Sequence, residues 1–191
     1  VSLHVEQFAL EPLLLEVHSL YRDRLVGSGI ACTVAVYPGI PQLETDRVKL
    51  QEVVRNLVDN AVKFTDTGSV DIAAHANPAR QSVVIEVRDT GPGIPPDELA
   101  HIFDAFRQAG QSSTRCTGGV GLGLSIVKQL VDVLGGTISV TSSPAGCAFR
   151  VEVPVSVASP REDPQRNDVL AGDNARAQGA MAAPPSSASP S

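Results

Sequence analysis

The sequence predicts a two-layer α/β sandwich, in which a mixed β-sheet carries its helices packed on one face. Two observations lead to this fold class. Helical segments alternate with short β-branched runs along the chain, and the later strands follow one another in succession. Helices interspersed with strands, rather than separated into blocks, favour a single sheet covered by helices. No internal repeat is visible in the sequence.

The first half of the chain predicts a helix, a strand and a second helix. The first helix runs from about Leu10 to Val26 and ends at glycines 27 and 29. A β-branched strand follows near Ile30 to Val36, and the turn "YPGIPQ" ends it. Asp46 then has the side chain that caps a helix N-terminus, so the second helix is predicted to run from there to about Phe64.

The second half predicts strands that frame two further helices. After the polar turn "TDTG" come strands at about Ser69 to His75 and Ser82 to Asp89, joined by a loop containing "NPAR". A short helix near Pro96 to Ile102 leads into the loop "RQAGQSSTRCTGG". An apolar helix from about Gly121 to Leu134 and a hairpin, "GTISVTS" then "AFRVEVP", complete the domain.

The composition divides the 191 residues into one domain and a tail. Beyond about Pro154 the chain is rich in Ala, Pro, Ser and charged residues without hydrophobic periodicity. Such composition cannot form a packed core, so residues 156–191 are predicted to be a disordered tail or linker. Residues 1–155 remain as one domain, which is large enough for a single core.

Charge and hydropathy exclude two classes of partner. The net charge is −6 and no cluster of Lys and Arg is present, which argues against a nucleic acid. No apolar run reaches the roughly 18 residues that cross a bilayer. The three cysteines, Cys32, Cys116 and Cys147, match neither a disulfide framework nor a zinc site. A reducing cytoplasm is therefore the expected compartment.

Two amides stand on the second predicted helix, where asparagine is a poor helix former. At 100° per residue, Glu52, Asn56, Asn60 and Lys63 form one polar stripe. The apolar face beside the stripe contains Leu50, Val53, Val54, Leu57, Ala61 and Phe64. This stripe alone is compatible with an ordinary solvated face or with a binding site at the border of the core.

A carboxylate is predicted at the inward end of a strand in "VVIEVRDTGPGIPPDE". Val83, Ile85 and Val87 alternate onto one face, and Asp89 is the next residue in that phase. Gly91 and Gly93 follow and give the backbone conformations that other residues avoid. The stretch is compatible with a plain turn, or with a carboxylate that accepts a hydrogen bond from the exocyclic amine of adenine.

A glycine-rich stretch opens the last predicted helix. In "TGGVGLGLSIVKQLV", glycines 118, 119, 121 and 123 offer backbone N–H groups and a helix N-terminus to an anion such as a phosphate chain. The stretch lacks the Lys and Ser or Thr that end a P-loop. It also lacks the third glycine and the preceding strand of a dinucleotide fingerprint.

Together, "NLVDNAVKF", "DTGPGIP", "IFDAFRQ" and "GGVGLGL" resemble the N, G1, F and G2 boxes of the catalytic ATP-binding domain of sensor histidine kinases. That domain belongs to a superfamily that includes gyrase, the Hsp90 chaperone and MutL, and has the Bergerat-type fold. The resemblance covers about residues 1 to 155, and includes the closing hairpin. Four boxes in order are far more specific than any one of them.

The resemblance implies a role for each matching residue. Asn60 would bind Mg²⁺, Asn56 would order the water shell around the ion, and Lys63 would contact phosphate. Phe64 would pack against the nucleotide, although a ring in the core is an equally simple interpretation. Asp89 would read adenine, with the remaining G1, F and G2 box residues around the nucleotide: Gly91, Gly93, Ile94, Phe103, Phe106, Gly119, Gly121, Leu122, Gly123 and Leu124. Residues 105–118 would form a flexible ATP lid, and Arg107 or Arg115 would reach the γ-phosphate.

One position favours the kinase branch over the ATPases of the superfamily. The ATPases carry a Glu that activates water one turn before the metal-binding Asn, whereas this chain has Asn56, which cannot act as a base. Glu52 is the residual candidate for a base. Two departures from the kinase pattern are Val120, where Thr is common, and Cys147, where Gly or Ser is usual. Positioning dominates phosphoryl transfer, so a site without a base suits transfer to an external histidine.

The implied partners are a histidine-bearing dimerisation domain of the same full-length protein and a downstream response regulator. Two alternatives remain open: an ATPase or switch domain of the gyrase and MutL kind, and a non-catalytic nucleotide-binding module. The chain is not expected to phosphorylate itself, because none of its four histidines lies in a phospho-acceptor motif (His4, His18, His75 and His101).

Overall fold

A computed structural model describes residues 2–104 and 123–157 of the chain. The described residues lie in one compact unit, residues 1–157. In chain order its elements are β1 (Glu6–Phe8), α1 (Leu10–Arg24), β2 (Ile30–Val36), β3 (Leu43–Thr45), α2 (Arg47–Phe64), β4 (Gly68–Asn77), a 3₁₀ turn (Pro78–Arg80), β5 (Ser82–Asp89), α3 (Pro96–Leu99), α4 (Gly123–Val133), β6 (Thr137–Ser143) and β7 (Gly146–Pro154).

The main sheet is mixed and has five strands in the order β2-β4-β5-β7-β6. β2 pairs with β4 in parallel, and the other three pairs are antiparallel. The central strand β5 is buried along most of its length. The predicted fold class, a mixed sheet with helices, is confirmed.

The core lies between the sheet and the helices α1, α2 and α4. α2 contributes six fully buried apolar side chains at helical spacing, and the inward residues of β4, β5 and β7 meet them. The large fully buried residues include Leu13, Leu14, Leu50, Leu57, Ile72, Ile85, Leu134 and Phe149. Burying such side chains is the main favourable term in folding, at roughly 1.5–3 kcal/mol each.

A second, small group of strands surrounds β3. β1 pairs with β3 antiparallel, from Glu6↔Thr45 to Phe8↔Leu43. On the other side, the Glu44 N–H donates to the Val155 carbonyl at 2.7 Å, and the Val157 N–H donates to the Glu44 carbonyl at 3.0 Å. The segments that precede and follow the main body of the domain are thus both hydrogen-bonded to one short strand.

β3 leads directly into α2 through a buried N-cap. The Asp46 carboxylate accepts from the Lys49 N–H at 3.0 Å, from the Lys49 ammonium at 2.6 Å and from the His4 N–H at 2.9 Å. These bonds satisfy a helix-terminal donor that would otherwise lack a partner. The predicted cap is therefore confirmed, and it fixes where α2 begins.

Most predicted elements match the observed bounds, with β2 and β5 identical to the prediction. α1 ends two residues earlier than predicted, β4 extends to Asn77, and the helix at Pro96 ends at Leu99. Both three-residue strands, β1 and β3, were missed because segments this short carry no periodicity. The described part of the last helix begins at Gly123, and residues 158–191 of the predicted tail lie outside the described residues.

Candidate functional site

The polar stripe of α2 lies at the border of the core. Leu57 and Ala61 are fully buried, whereas Asn56 and Asn60 are half-buried and Lys63 is exposed. The predicted apolar face is confirmed with two exceptions. Val58 is also buried, and Phe64 is 43 % exposed, which contradicts the alternative interpretation of Phe64 as a core ring.

Asn56 is oriented by its own helix. Its amide nitrogen donates to the Glu52 carbonyl at 2.8 Å, one turn earlier. Its Oδ1 lies 3.7 Å from the position of a Cβ built on Gly123, the first residue of α4. The stripe of α2 therefore faces the described end of the glycine-rich segment, and an amide oxygen is directed towards it.

Lys63 and Phe64 form an exposed pair at the C-terminal end of α2. The Lys63 ammonium lies 5.2 Å from the centre of the Phe64 ring, within the range of a cation–π contact. An exposed ring with a cation beside it can pack against a planar group and attract an anion. Phe64 is the last residue of α2, and Thr65 after it has an extended backbone conformation.

Asp89 lies at the inward end of β5 and is 6 % exposed, as the alternation predicts. Its Oδ1 accepts hydrogen bonds from the backbone N–H groups of Gly91 at 2.9 Å and Cys147 at 3.3 Å. Both N–H groups donate to the same carboxylate oxygen. The carboxylate is therefore fixed in orientation, and its Oδ2 can accept from a further donor such as an exocyclic amine.

Glycines bring three backbone segments together around Asp89. A Cβ on Gly91 would lie 2.6 Å from the Phe64 carbonyl oxygen at the end of α2. Gly93 has φ +76°, and a Cβ there would lie 2.0 Å from the Ser143 carbonyl oxygen; Gly146 has φ +130°, and its Cβ would lie 1.9 Å from the Asp89 carbonyl oxygen. The close approach that these glycines allow is between the loop after β5, α2 and the β6–β7 hairpin.

A polar link between the loop after β5 and the β6–β7 hairpin was missed from the sequence. The Ser142 Oγ accepts from the Ile94 N–H at 2.7 Å and lies 3.3 Å from the Ile94 carbonyl oxygen. The Cys147 thiol lies 3.4 Å from the same hydroxyl. Ser142 follows Ile138 and Val140 in the inward phase of β6, so the period of the strand carried the signal.

The other predicted site residues divide into two groups. Ile94, Phe103 and Leu124 are half-buried and pack against the core cluster. Six predicted residues lie outside the described residues: Phe106, Arg107, Arg115, Gly119, Gly121 and Leu122. The whole of the predicted lid, residues 105–118, lies outside them as well.

The side chains of the site suit a metal ion that takes most of its oxygen ligands from phosphate and water rather than from the protein. Within residues 2–104 and 123–157, no three His, Cys, Asp or Glu side chains lie close enough to hold a metal ion. The stripe instead offers amide oxygens, which are hard donors of the kind that Mg²⁺ accepts alongside water and phosphate.

No helix in the described part of the chain has the length and apolarity to cross a membrane.

Comparisons with known proteins identify the same motifs as one domain. The model of the histidine kinase-, DNA gyrase B- and HSP90-like ATPases matches residues 45–157. The sensor histidine kinase RcsC of Escherichia coli K12 is 35 % identical over 157 residues, which cover 81 % of this chain and 16 % of RcsC. The chain therefore spans about a sixth of the length of that relative.

Solved structures share the fold. Full-length ShkA in complex with AMPPNP superposes with a TM-score of 0.73 at 36 % identity, covering 83 % of this chain and 33 % of ShkA. The histidine kinase ThkA, in complex with the response regulator TrrA, gives a TM-score of 0.67 at 28 % identity, covering 81 % of this chain and 42 % of ThkA.

Proposed function

Because this chain belongs to the family of histidine kinase-, DNA gyrase B- and HSP90-like ATPases, we propose that it binds Mg·ATP and donates the γ-phosphoryl group to a histidine on a separate dimerisation domain. The single observation that carries the proposal is the arrangement of polar groups along α2 and beside its C-terminal end. A buried acceptor, Asp89, stands beside the C-terminal end of α2, and the Asn56 amide oxygen faces Gly123 at the described start of α4.

Asp89 reads the base at one end of the site. Its Oδ1 is held by two backbone donors, so Oδ2 accepts the exocyclic amine of adenine. Guanine presents a carbonyl oxygen at the corresponding position and would face the carboxylate with an acceptor. The exposed ring of Phe64 packs on the nucleotide.

The polar stripe of α2 serves the phosphate end. Lys63 contributes a mobile cation for phosphate, and the glycines before and within α4 (Gly119, Gly121 and Gly123) contribute backbone N–H groups. The Asn60 amide oxygen would hold Mg²⁺, with Asn56 ordering its water shell. The ion would neutralise phosphate charge. One of Arg107 and Arg115 contacts the γ-phosphate.

Transfer to histidine suits this site better than hydrolysis. The Asn56 amide donates to the Glu52 carbonyl, so the residue one turn before Asn60 is engaged with its own helix and has no basic atom for water. Glu52 would be the only acid of the stripe in reach of that role. A site that orders the phosphates and does not activate water leaves the γ-phosphoryl group for an external nucleophile in line with it.

The proposed partners are the histidine-bearing dimerisation domain of the same full-length protein and a response regulator downstream. ThkA, which shares the fold, has been crystallised with the response regulator TrrA. We place the domain in the cytoplasm, since the two cysteines in the described part of the chain, Cys32 and Cys147, are free thiols. Residues 156–191 would act as a tail or linker.

Calorimetric titration tests the proposal directly. The chain is titrated with ATP, with a non-hydrolysable analogue and with GTP, each with Mg²⁺ and with excess chelator. Binding of ATP and its analogue in preference to GTP, strengthened by Mg²⁺, is expected. The chain is then mixed with radiolabelled ATP and a histidine-bearing dimerisation hairpin, which should become labelled. Rapid release of inorganic phosphate without a labelled hairpin would instead indicate an ATPase.

A further inference from the structure

We propose that Ser142 is a positioning residue for the adenine end of the site, holding the Asp89 carboxylate and the loop after β5 in one arrangement. This inference rests on the proposed function, because it assigns a second residue to the reading of the base. Ser142 lies on β6, far along the chain from both Asp89 and the loop.

The hydroxyl of Ser142 is the centre of a hydrogen-bond chain, and it can form all three bonds at once. The Ile94 N–H and the Cys147 S–H both donate to the Ser142 Oγ, and the Ser142 O–H donates to the Ile94 carbonyl. One hydroxyl thus uses its single donor and both of its acceptor sites. The loop after β5 is fastened to β6 through both polar groups of the Ile94 backbone.

Cys147 connects the hydrogen bonds of Ser142 to the Asp89 carboxylate. Its backbone N–H donates to the Asp89 Oδ1, while its side chain donates to Ser142. Burial raises the pKa of the Cys147 thiol and outweighs the hydrogen bond with Ser142, which lowers it. The sulfur therefore keeps the proton that it donates. A shift of Ser142 would therefore move the residue that holds Asp89.

The two glycine contacts make this arrangement sensitive to small displacements. The Gly93 backbone lies against the Ser143 carbonyl, and the Gly146 backbone lies against the Asp89 carbonyl, each closer than any Cβ allows. The loop and the hairpin turn therefore have no spare distance between them. The Ser142 hydroxyl is the side-chain group that fastens the loop to β6 beside these contacts.

Nucleotide preference separates positioning from general destabilisation. Ser142→Ala should weaken ATP binding about tenfold while weakening GTP binding much less, so the ratio of the two affinities falls. Ser142→Thr retains the hydroxyl on a strand residue and should restore the ratio. Ser139→Ala is the matched control, because Ser139 lies on the same strand with its side chain on the exposed face. Equal weakening towards both nucleotides, or no change, would overturn the inference.

A nucleotide-free measurement keeps this test distinct from the proposed function. Amide hydrogen exchange of the free chain should accelerate at Ile94 and Gly91 in Ser142→Ala and remain unchanged in the core strand β5. Failure of the unsubstituted chain to bind ATP would refute the proposed function alone. Unchanged exchange at both amides would refute the positioning role.

A double-mutant cycle tests the link to Cys147. If the hydroxyl and the thiol act through one chain, Ser142→Ala and Cys147→Ala should together cost less ATP affinity than the product of their separate fold-changes. Strict additivity of the two effects would contradict the hydrogen-bond chain.

Discussion

The substitution Asp89→Asn tests the recognition of adenine, because asparagine has nearly the same size and shape as aspartate. Gly91 and Cys147 both donate to Oδ1, so an amide placed here must present its oxygen to them. The amide NH₂ is then forced into the position of Oδ2, where it faces the exocyclic amine of adenine with a second donor. Neither local hydrogen bond needs to be lost, so the domain should remain folded.

The cost follows from one mispaired, buried donor. A buried polar group without a hydrogen-bond partner reduces the free energy of binding by about 1–3 kcal/mol. This corresponds to a rise of about 5- to 150-fold in the Kd for ATP. Guanine carries an acceptor at the same edge, so the affinity for GTP should rise in Asp89→Asn and the preference for ATP should shrink or invert.

The assay is calorimetric titration of the parent and variant chains with ATP and GTP. Asp71→Asn is the matched control, because it removes the same charge from the neighbouring strand β4. Asp71 accepts from Thr33 and Ser69 and alternates with the buried Val70 and Ile72, so its side chain lies on the other face of the sheet. Equal affinity of the parent for ATP and GTP would refute the reasoning. So would an Asp89→Asn chain that binds ATP as tightly as the parent.

Three further predictions concern the metal, the phosphate acceptor and the N-cap. Asn60→Ala should weaken ATP binding mainly when Mg²⁺ is present, and a loss of the same size in excess chelator would contradict the metal role. Alone with radiolabelled ATP, the chain should stay unlabelled, because none of its four histidines lies in a phospho-acceptor motif. Acid-labile label on the chain alone would contradict this expectation. Asp46→Ala should reduce the free energy of unfolding by about 1–2 kcal/mol in urea titrations at neutral pH. Burial opposes the charge of Asp46, but its bonds from Lys49 and His4 outweigh burial and lower its pKa. The stabilisation is therefore complete above the pKa of the unfolded chain, about 3.9, and is lost as the pH falls through the lower pKa of the folded state. Parent and variant should converge in acid, and a constant difference down to pH 2 would contradict this account.

The sequence predicts the elements whose periodicity a core imposes. Strand β5 alternates because one face packs on α2, and that alternation also places Asp89 at the inward end of the strand. The same reasoning fails for Phe64, because helical phase continues to the last residue, whereas the core ends one turn earlier. Local pattern therefore identifies the face of an element better than the end of the buried region.

Contacts between distant segments are the part that the sequence does not reveal. The resemblance implies that Gly93 lies beside the nucleotide, but it does not reveal that the Gly93 backbone packs against Ser143, fifty residues away in the chain. The bond from Ser142 to Ile94 depends in the same way on how β6 and the loop after β5 meet. Such contacts are set by strand order, which single-chain periodicity does not determine.

The position of β3 between two chain segments bears on how the domain can be carried in a larger protein. β1 lies on one side of β3, and residues 155–157 lie on the other. Neighbouring strands are about 4.8 Å apart, so the two flanking segments are separated by about 10 Å. A module with adjacent entry and exit points can be inserted into, or exchanged between, longer chains without forcing the flanking parts apart. Recombination between multidomain proteins at this boundary would therefore require little displacement of the flanking segments. The exchanged piece would have to include Val157, because its N–H donates to the Glu44 carbonyl.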